Sequence, residues 1–120
     1  MKQRVFVFGS NLIGYHGAGS AKEAHRNHGA QWGVGSGPTG NAYAIPTKDG
    51  VYRTLPLDRI MRHVGDFRDY AEAHPECEFA VVEIGCGLAG YTPKDIAPLF
   101  HSMPPNVKLP LSFQKVLGNA

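Results

Sequence analysis

Apolar positions fall into short runs whose period changes along the chain, with glycine- and proline-rich stretches between them. Arg4–Phe8 ends in four continuous apolar residues and stops at Gly9, the pattern of a strand covered on both faces. From about Ala18 to His28, alanines recur every three residues (Ala18, Ala21, Ala24). This predicts a helix with a small face that packs close to a sheet, with Gly29 at C′. Residues 30–41 (AQWGVGSGPTGN) keep no period and predict an irregular loop or lid, with Trp32 as its anchor or as a stacking surface. Ala42–Ile45 predicts a second short strand closed by Pro46, and Thr47–Gly50 the turn after it. Lys48 in that turn is a candidate phosphate contact.

Leu57, Ile60, Met61, Val64, Phe67 and Ala71 follow the i, i+3, i+4, i+7 rule and predict a core-packing helix from about Leu57 to Glu72. His63 and His74 are read as surface residues, and Pro75 as the stop. Phe79–Ile84 is the strongest strand pattern, followed by the glycine loop Gly85–Tyr91. Thr92, Pro93 and Asp95 suit N-cap, N1 and N3 of a helix reaching about Ser102, with Pro98 predicting a kink or an early end. Pro104–Asn106 reads as a turn, and Val107 to Leu109, extending to Leu111, as a last strand. The tail from Ser112 is polar and loosely held, with Phe113, Val116 and Leu117 able to dock one helical turn. Strands alternating with helices over 120 residues predict one α/β domain, 1–120, with a largely parallel sheet.

Composition narrows the function classes. A 42% hydrophobic, 18% charged chain is not the profile of disorder. A net charge of +2 with no run of Lys or Arg argues against a nucleic-acid footprint. Cys77 and Cys86 flank one predicted strand, so they stand over ~20 Å apart and are expected as reduced thiols. The N-terminal residues hold no long apolar segment, so no membrane association is expected and the cytoplasm is the expected compartment.

Two stretches share one grammar of strand, glycine-rich loop and helix: Val5 to Gly29 and Phe79 onward. That arrangement aims backbone N–H groups and a helix N-terminus at an anion. The first is no P-loop: Gly14 to Gly19 has GxxxxG spacing, but Ser20 and Ala21 stand where Lys and Ser/Thr are needed. The second matches GxGxxG as Gly85, Gly87 and Gly90, but the next predicted strand ends without the carboxylate a dinucleotide site requires. His16, His25 and His28 lack the Cys or carboxylate partners of a metal set, so neither metal nor cofactor is expected. Cys86 reads as a small residue under a tight loop, or as a nucleophile with His16 opposite as base. Two donor-rich loops with one amide, Asn11, suit a diphosphate joining two sugars.

The pair SNLIGYHGAGSAKEAHRNHG and IGCGLAGYTPKDI resembles the two phosphate-binding loops of macrodomains, including the short macrodomain-like proteins of phages and bacteria. Asn11 matches the loop-1 asparagine, Gly17–Ala21 the glycine cluster, and Cys86–Tyr91 a second loop of the type S-T-G-I-F-G-Y-P. The resemblance covers about Val5 to Leu111. It implies a small three-layer macrodomain-like fold, a mixed, mostly parallel sheet flanked by helices. It also implies binding of ADP-ribose or a related nucleotide or adduct, free or on a macromolecule, with hydrolysis by some members. Under it Gly9, Ser10, Asn11, His16, Gly17, Ala18, Gly19, Ser20 and Ala21 form one wall, with the N–H groups from Gly17 to Ala21 on one phosphate. Gly85, Cys86, Gly87, Leu88, Ala89, Gly90 and Tyr91 form the other: N–H groups from Gly87 to Gly90 hold the second phosphate and distal ribose, and Tyr91 stacks on the ribose. Asn11 is the implied catalytic side chain, positioning a water or a ribose hydroxyl. Alternatives are a non-catalytic nucleotide sponge or sensor, and a nucleic-acid-associated accessory protein.

Overall fold

The computed structural model describes residues 2–50 and 53–118. A five-stranded sheet runs in the order β2-β3-β1-β4-β5. The strands are β1 (Gln3–Asn11), β2 (Gly37–Thr39), β3 (Ala42–Lys48), β4 (Cys77–Val81) and β5 (Val107–Lys108). All neighbours are parallel except β2 and β3. The helices are α1 (Gly19–Asn27), α2 (Leu57–Ala73), α3 (Pro93–Ile96), continued by a 3₁₀ turn at Ala97–Phe100, and α4 (Leu111–Val116). None among the described residues is long and apolar enough to cross a membrane.

The chain leaves β1 through α1 to reach β3 on one side, then crosses back through α2 to β4 on the other. The helices therefore cover opposite faces. Ala21 and Ala24 of α1 pack with Phe8, Ala42 and Ala44 in a thin layer of small side chains. On the other face Ile60, Val64, Phe67 and Ala71 of α2 pack with Val5, Val7, Tyr43, Ile45, Phe79 and Phe100. β1, with a partner on each side, has apolar residues pointing both ways, which explains its continuous apolar run.

Several boundaries differ from expectation, each for a local reason. β3 runs through Pro46, because β2 pairs only with Ala42–Ala44 and leaves β3 an edge beyond them. The β1–β3 register shifts immediately after, between Ser10 and Asn11. β4 starts earlier and stops at Val81. Val82 N–H makes a last bond to the Val7 carbonyl (3.2 Å), and a tight turn from Val82 to Ile84 (2.7 Å) turns the chain out of the sheet. The 30–41 stretch contains β2, Gly-Pro-Thr, in which two of three residues disfavour a strand and only Thr39 favours one.

The helical reading of Pro93–Ser102 breaks after Ile96, just ahead of Pro98, into the short α3 and a 3₁₀ turn that ends at Phe100. Thr92 N–H and Oγ1–H both donate to Asp95 Oδ2 (2.9 and 3.0 Å) at the start of α3. The tail is a docked helix rather than a loose end, with Phe113 fully buried 5.7 Å from Phe100 between ring centroids. Buried Asn106 closes the far end of α2: its Nδ2 lies 3.0–3.2 Å from the carbonyls of Ala71, His74 and Cys77.

Candidate functional site

Because the chain leaves β1 toward β3 on one side and leaves β4 toward β5 on the other, the loops beyond the carboxyl ends of β1 and β4 part and leave a crevice, the usual ligand position in open α/β sheets. A cleft of about 390 Å³ occupies it, at the lower end of the roughly 300–1,000 Å³ of small-molecule sites. The two loops lie side by side: a Cβ built on Gly9 would stand 3.6 Å from the Gly85 backbone nitrogen.

The first wall is the end of β1 and the start of α1. The first intrahelical bond of α1 is Lys22 N–H to the Ala18 carbonyl, 3.1 Å, and no side chain caps the helix. The N–H groups of Gly19, Ser20 and Ala21 are therefore left without an acceptor among the described residues. Ser20 Oγ turns back to Gly9, accepting from its N–H at 3.3 Å. Asn11 is engaged within the loop. Its Nδ2 donates to the Tyr15 carbonyl (2.8 Å) and its Oδ1 accepts the Tyr15 N–H (2.9 Å), closing a ring that fixes Tyr15.

The stretch from residue 30 to 36 buttresses this wall. Gly33 N–H donates to the Gly14 carbonyl (2.9 Å), and Ser10 Oγ donates to the Gly35 carbonyl. A Cβ on Gly35 would fall 1.9 Å from the Asn11 carbonyl oxygen, so only glycine permits this approach. Trp32 is the anchor. Its Nε1–H donates to His25 Nε2 (2.9 Å), while His25 Nδ1–H donates to the Ala30 carbonyl (2.8 Å).

The second wall is folded by its own turns. Cys86 N–H reaches the Glu83 carbonyl (3.2 Å), Gly90 N–H the Gly87 carbonyl (3.0 Å) and Tyr91 N–H the Gly85 carbonyl (2.9 Å). The N–H groups of Gly85, Gly87, Leu88 and Ala89 have no acceptor among the described residues. Gly85 sits at φ +79°, and a Cβ there would press on Ile96 Cδ1 at 3.0 Å. Thr54 Oγ1 ties the loop to the segment after β3 by donating to the Ala89 carbonyl (2.9 Å).

Of the residues singled out in the sequence, Gly9, Ser10, Asn11, Ala18, Gly19, Ser20, Ala21, Gly85, Cys86, Gly87, Leu88 and Ala89 line one cleft, as does Lys48. His16, Gly17, Gly90 and Tyr91 do not line it. His16 is buried under the loop with its ring nitrogen Nε2 2.8 Å from the Gln31 carbonyl, edge-on to Phe8, so it is not placed as a base for Cys86. Half-buried Tyr91 packs against the core, and its hydroxyl donates to the Leu55 carbonyl (2.7 Å), which holds the ring away from the cleft lining. The half-buried Cys86 thiol is pushed above its ordinary pKa by burial, then by the Glu83 and Asp95 carboxylates, the reverse of what a nucleophile needs.

Residues that motif spacing did not single out also line the cleft: Tyr15, Thr47, Gly50, Val82 and Glu83. Glu83 is the one carboxylate among the described lining residues, and its Oε2 accepts a hydrogen bond from Ser112 of α4. Lys48 is the one cation among the described lining residues. No group of three or more His, Cys, Asp or Glu among the described residues is placed to hold a metal ion.

Fold and cleft thus define a small α/β protein with a cleft edged by backbone N–H groups at its topological switch point. Compared with known proteins, the chain matches no family model, no curated protein and no solved structure.

Proposed function

We propose that this chain binds ADP-ribose, or a related ADP-ribose-containing nucleotide or adduct, with its two phosphates on the N–H groups of the two loops. One observation carries the reading: two separate sets of unused N–H groups, Gly19–Ala21 and Gly85 with Gly87–Ala89, edge the same cleft beside Lys48. A helix N-terminus and a nest of loop amides each favour one anionic group, and two such sets favour a diphosphate. The macrodomain-like resemblance of both loops points to the same ligand. Calorimetric titration and thermal shift with ADP-ribose, ADP-ribose 1″-phosphate and NAD test it. A measurable heat and a rise in melting temperature are expected, and neither effect at millimolar ligand refutes it.

Binding without turnover, as in a sponge or sensor, fits the wall residues as they stand. Asn11 is engaged by Tyr15, and Cys86 is held as a thiol. Hydrolysis has one observation in its favour, the carboxylate of Glu83 in a cleft otherwise suited to anions. A general base is one reason to keep a negative charge there. Release of ADP-ribose from an ADP-ribosylated protein that disappears in Glu83→Gln, with ADP-ribose binding retained, would identify that activity. Wild-type protein that binds ADP-ribose and releases none is the sponge.

A further inference from the structure

Resting on that diphosphate reading, we infer that Tyr15 is a stacking platform for the base of a nucleoside diphosphate ligand, and that the cleft takes the base by its flat face rather than reading its edge. Tyr15 lines the cleft and leaves half of its surface, 50%, in solvent. An exposed aromatic on a glycine loop would ordinarily be mobile, but this one is held at three points. Asn11 grips its backbone N–H and carbonyl. Its ring meets Trp32 edge-on, with centroids 5.0 Å apart and planes at 69°. It also lies over Gly17, where a Cβ would fall 2.4 Å from the ring. Trp32 is itself fixed through His25 to the Ala30 carbonyl. A ring ordered before the ligand arrives loses little freedom on binding, which favours it as a platform.

Edge recognition needs free donors and acceptors; the unused backbone N–H groups are taken by the two phosphates in this reading, and the cleft's polar side chains make bonds within the protein. Ser10 donates to the Gly35 carbonyl, Thr47 Oγ1 to the Ser10 carbonyl (3.3 Å), and Ser20 Oγ accepts from Gly9. Asn11 is tied to Tyr15, and Glu83 accepts from Ser112. Lys48 is a compact ammonium, better matched to phosphate than to a base edge. What faces a base is a π surface, which every base satisfies. The ligand class is therefore nucleoside diphosphates and their sugar esters, selected by the diphosphate and tolerant of the base.

Calorimetric titration of the wild type, Tyr15→Ala and Tyr15→Phe with adenosine diphosphate, uridine diphosphate and inorganic pyrophosphate, where the two nucleotides differ only in the base, tests this. The wild type should bind the two nucleotides with affinities within about tenfold of each other, since only stacking distinguishes the bases. Tyr15→Ala should weaken both by about 5- to 150-fold, the usual worth of one stacked base. It should leave pyrophosphate nearly unchanged, and Tyr15→Phe should bind like wild type. Equal weakening of pyrophosphate in Tyr15→Ala would show that the ring only shapes the loop and would overturn the platform. So would unchanged nucleotide affinity in that variant, or a base preference beyond about 100-fold, which needs edge contacts. A wild type that binds pyrophosphate but neither nucleotide overturns the platform alone. A wild type that binds none of the three overturns the diphosphate reading with it.

Discussion

Asn11→Ala separates a structural amide from a catalytic one. The substitution removes the two bonds by which Asn11 grips Tyr15, at 2.8 and 2.9 Å. A neutral hydrogen bond contributes about 0.5–1.5 kcal/mol net, and at this half-exposed position the pair should fall near the low end, about 1–2 kcal/mol together. For a domain of this size that is a fall in melting temperature of roughly 4–8 °C if the loop opens with the fold, and less if it opens alone. Trp32, the chain's single tryptophan, sits edge-on to Tyr15 and reports the local event directly. Melting by circular dichroism and Trp32 emission should both change in Asn11→Ala, and ADP-ribose affinity should fall with them. Asn11→Asp should melt closer to wild type, because one carboxylate oxygen still accepts the Tyr15 N–H. Its added negative charge should nevertheless weaken diphosphate binding more than alanine does. An Asn11→Ala protein with wild-type melting and wild-type Trp32 emission that loses only turnover would refute the clamp.

Asn106→Ala should cost about 2–4 kcal/mol in urea unfolding, because it leaves the carbonyls of Ala71 and His74 at the end of α2 and of Cys77 at the start of β4 without the buried donor they share; a midpoint equal to wild type would refute that role. Tyr43, buried beneath α2, has its hydroxyl pKa pushed up to about 12, first by burial and then by Asp66, Tyr70 and Asp69. A raised folded pKa contributes stability that is complete below the unfolded value near 10 and is lost as pH rises toward 12. Tyr43→Phe should therefore flatten the loss of stability between those two values. Gly85→Ala should destabilise by roughly 1–3 kcal/mol, since it combines a left-handed backbone with pressure on Ile96, and Gly87→Ala, where a Cβ meets open space, should not.

Where apolar periodicity was strong, the chain declared its structure. The spacing of Ile60, Val64, Phe67 and Ala71 placed α2 on the sheet, and the unbroken run in β1 placed that strand inside it. Both glycine loops and the cleft between them were also legible, because strand, glycine and helix follow one another within a few residues. Side-chain roles within the loops were not. Nothing in the spacing of Asn11 and Tyr15 says that the amide turns inward to close the loop, and nothing near Tyr91 says that its hydroxyl reaches Leu55, far away in sequence. β2 was hidden because Gly37 and Pro38 disfavour a strand, and the segment depends on its neighbour β3. Glu83 falls inside the predicted strand Phe79–Ile84. It marks instead the point where the chain has left the sheet.

The middle position of β1 has a consequence for the order in which this molecule comes together. β1 precedes both of its partners in the chain, with Phe6 waiting for Ala42 and Gln3 for Cys77. Such pairings close long loops, and they form late and slowly. The half built from β1, α1 and β3 can associate first, but it carries only the thin alanine-faced layer and one wall of the cleft. The second wall arrives when β4 docks beside β1. A nucleotide that spans both walls would then grip only the finished protein, and by mass action it would hold β4 closed against β1.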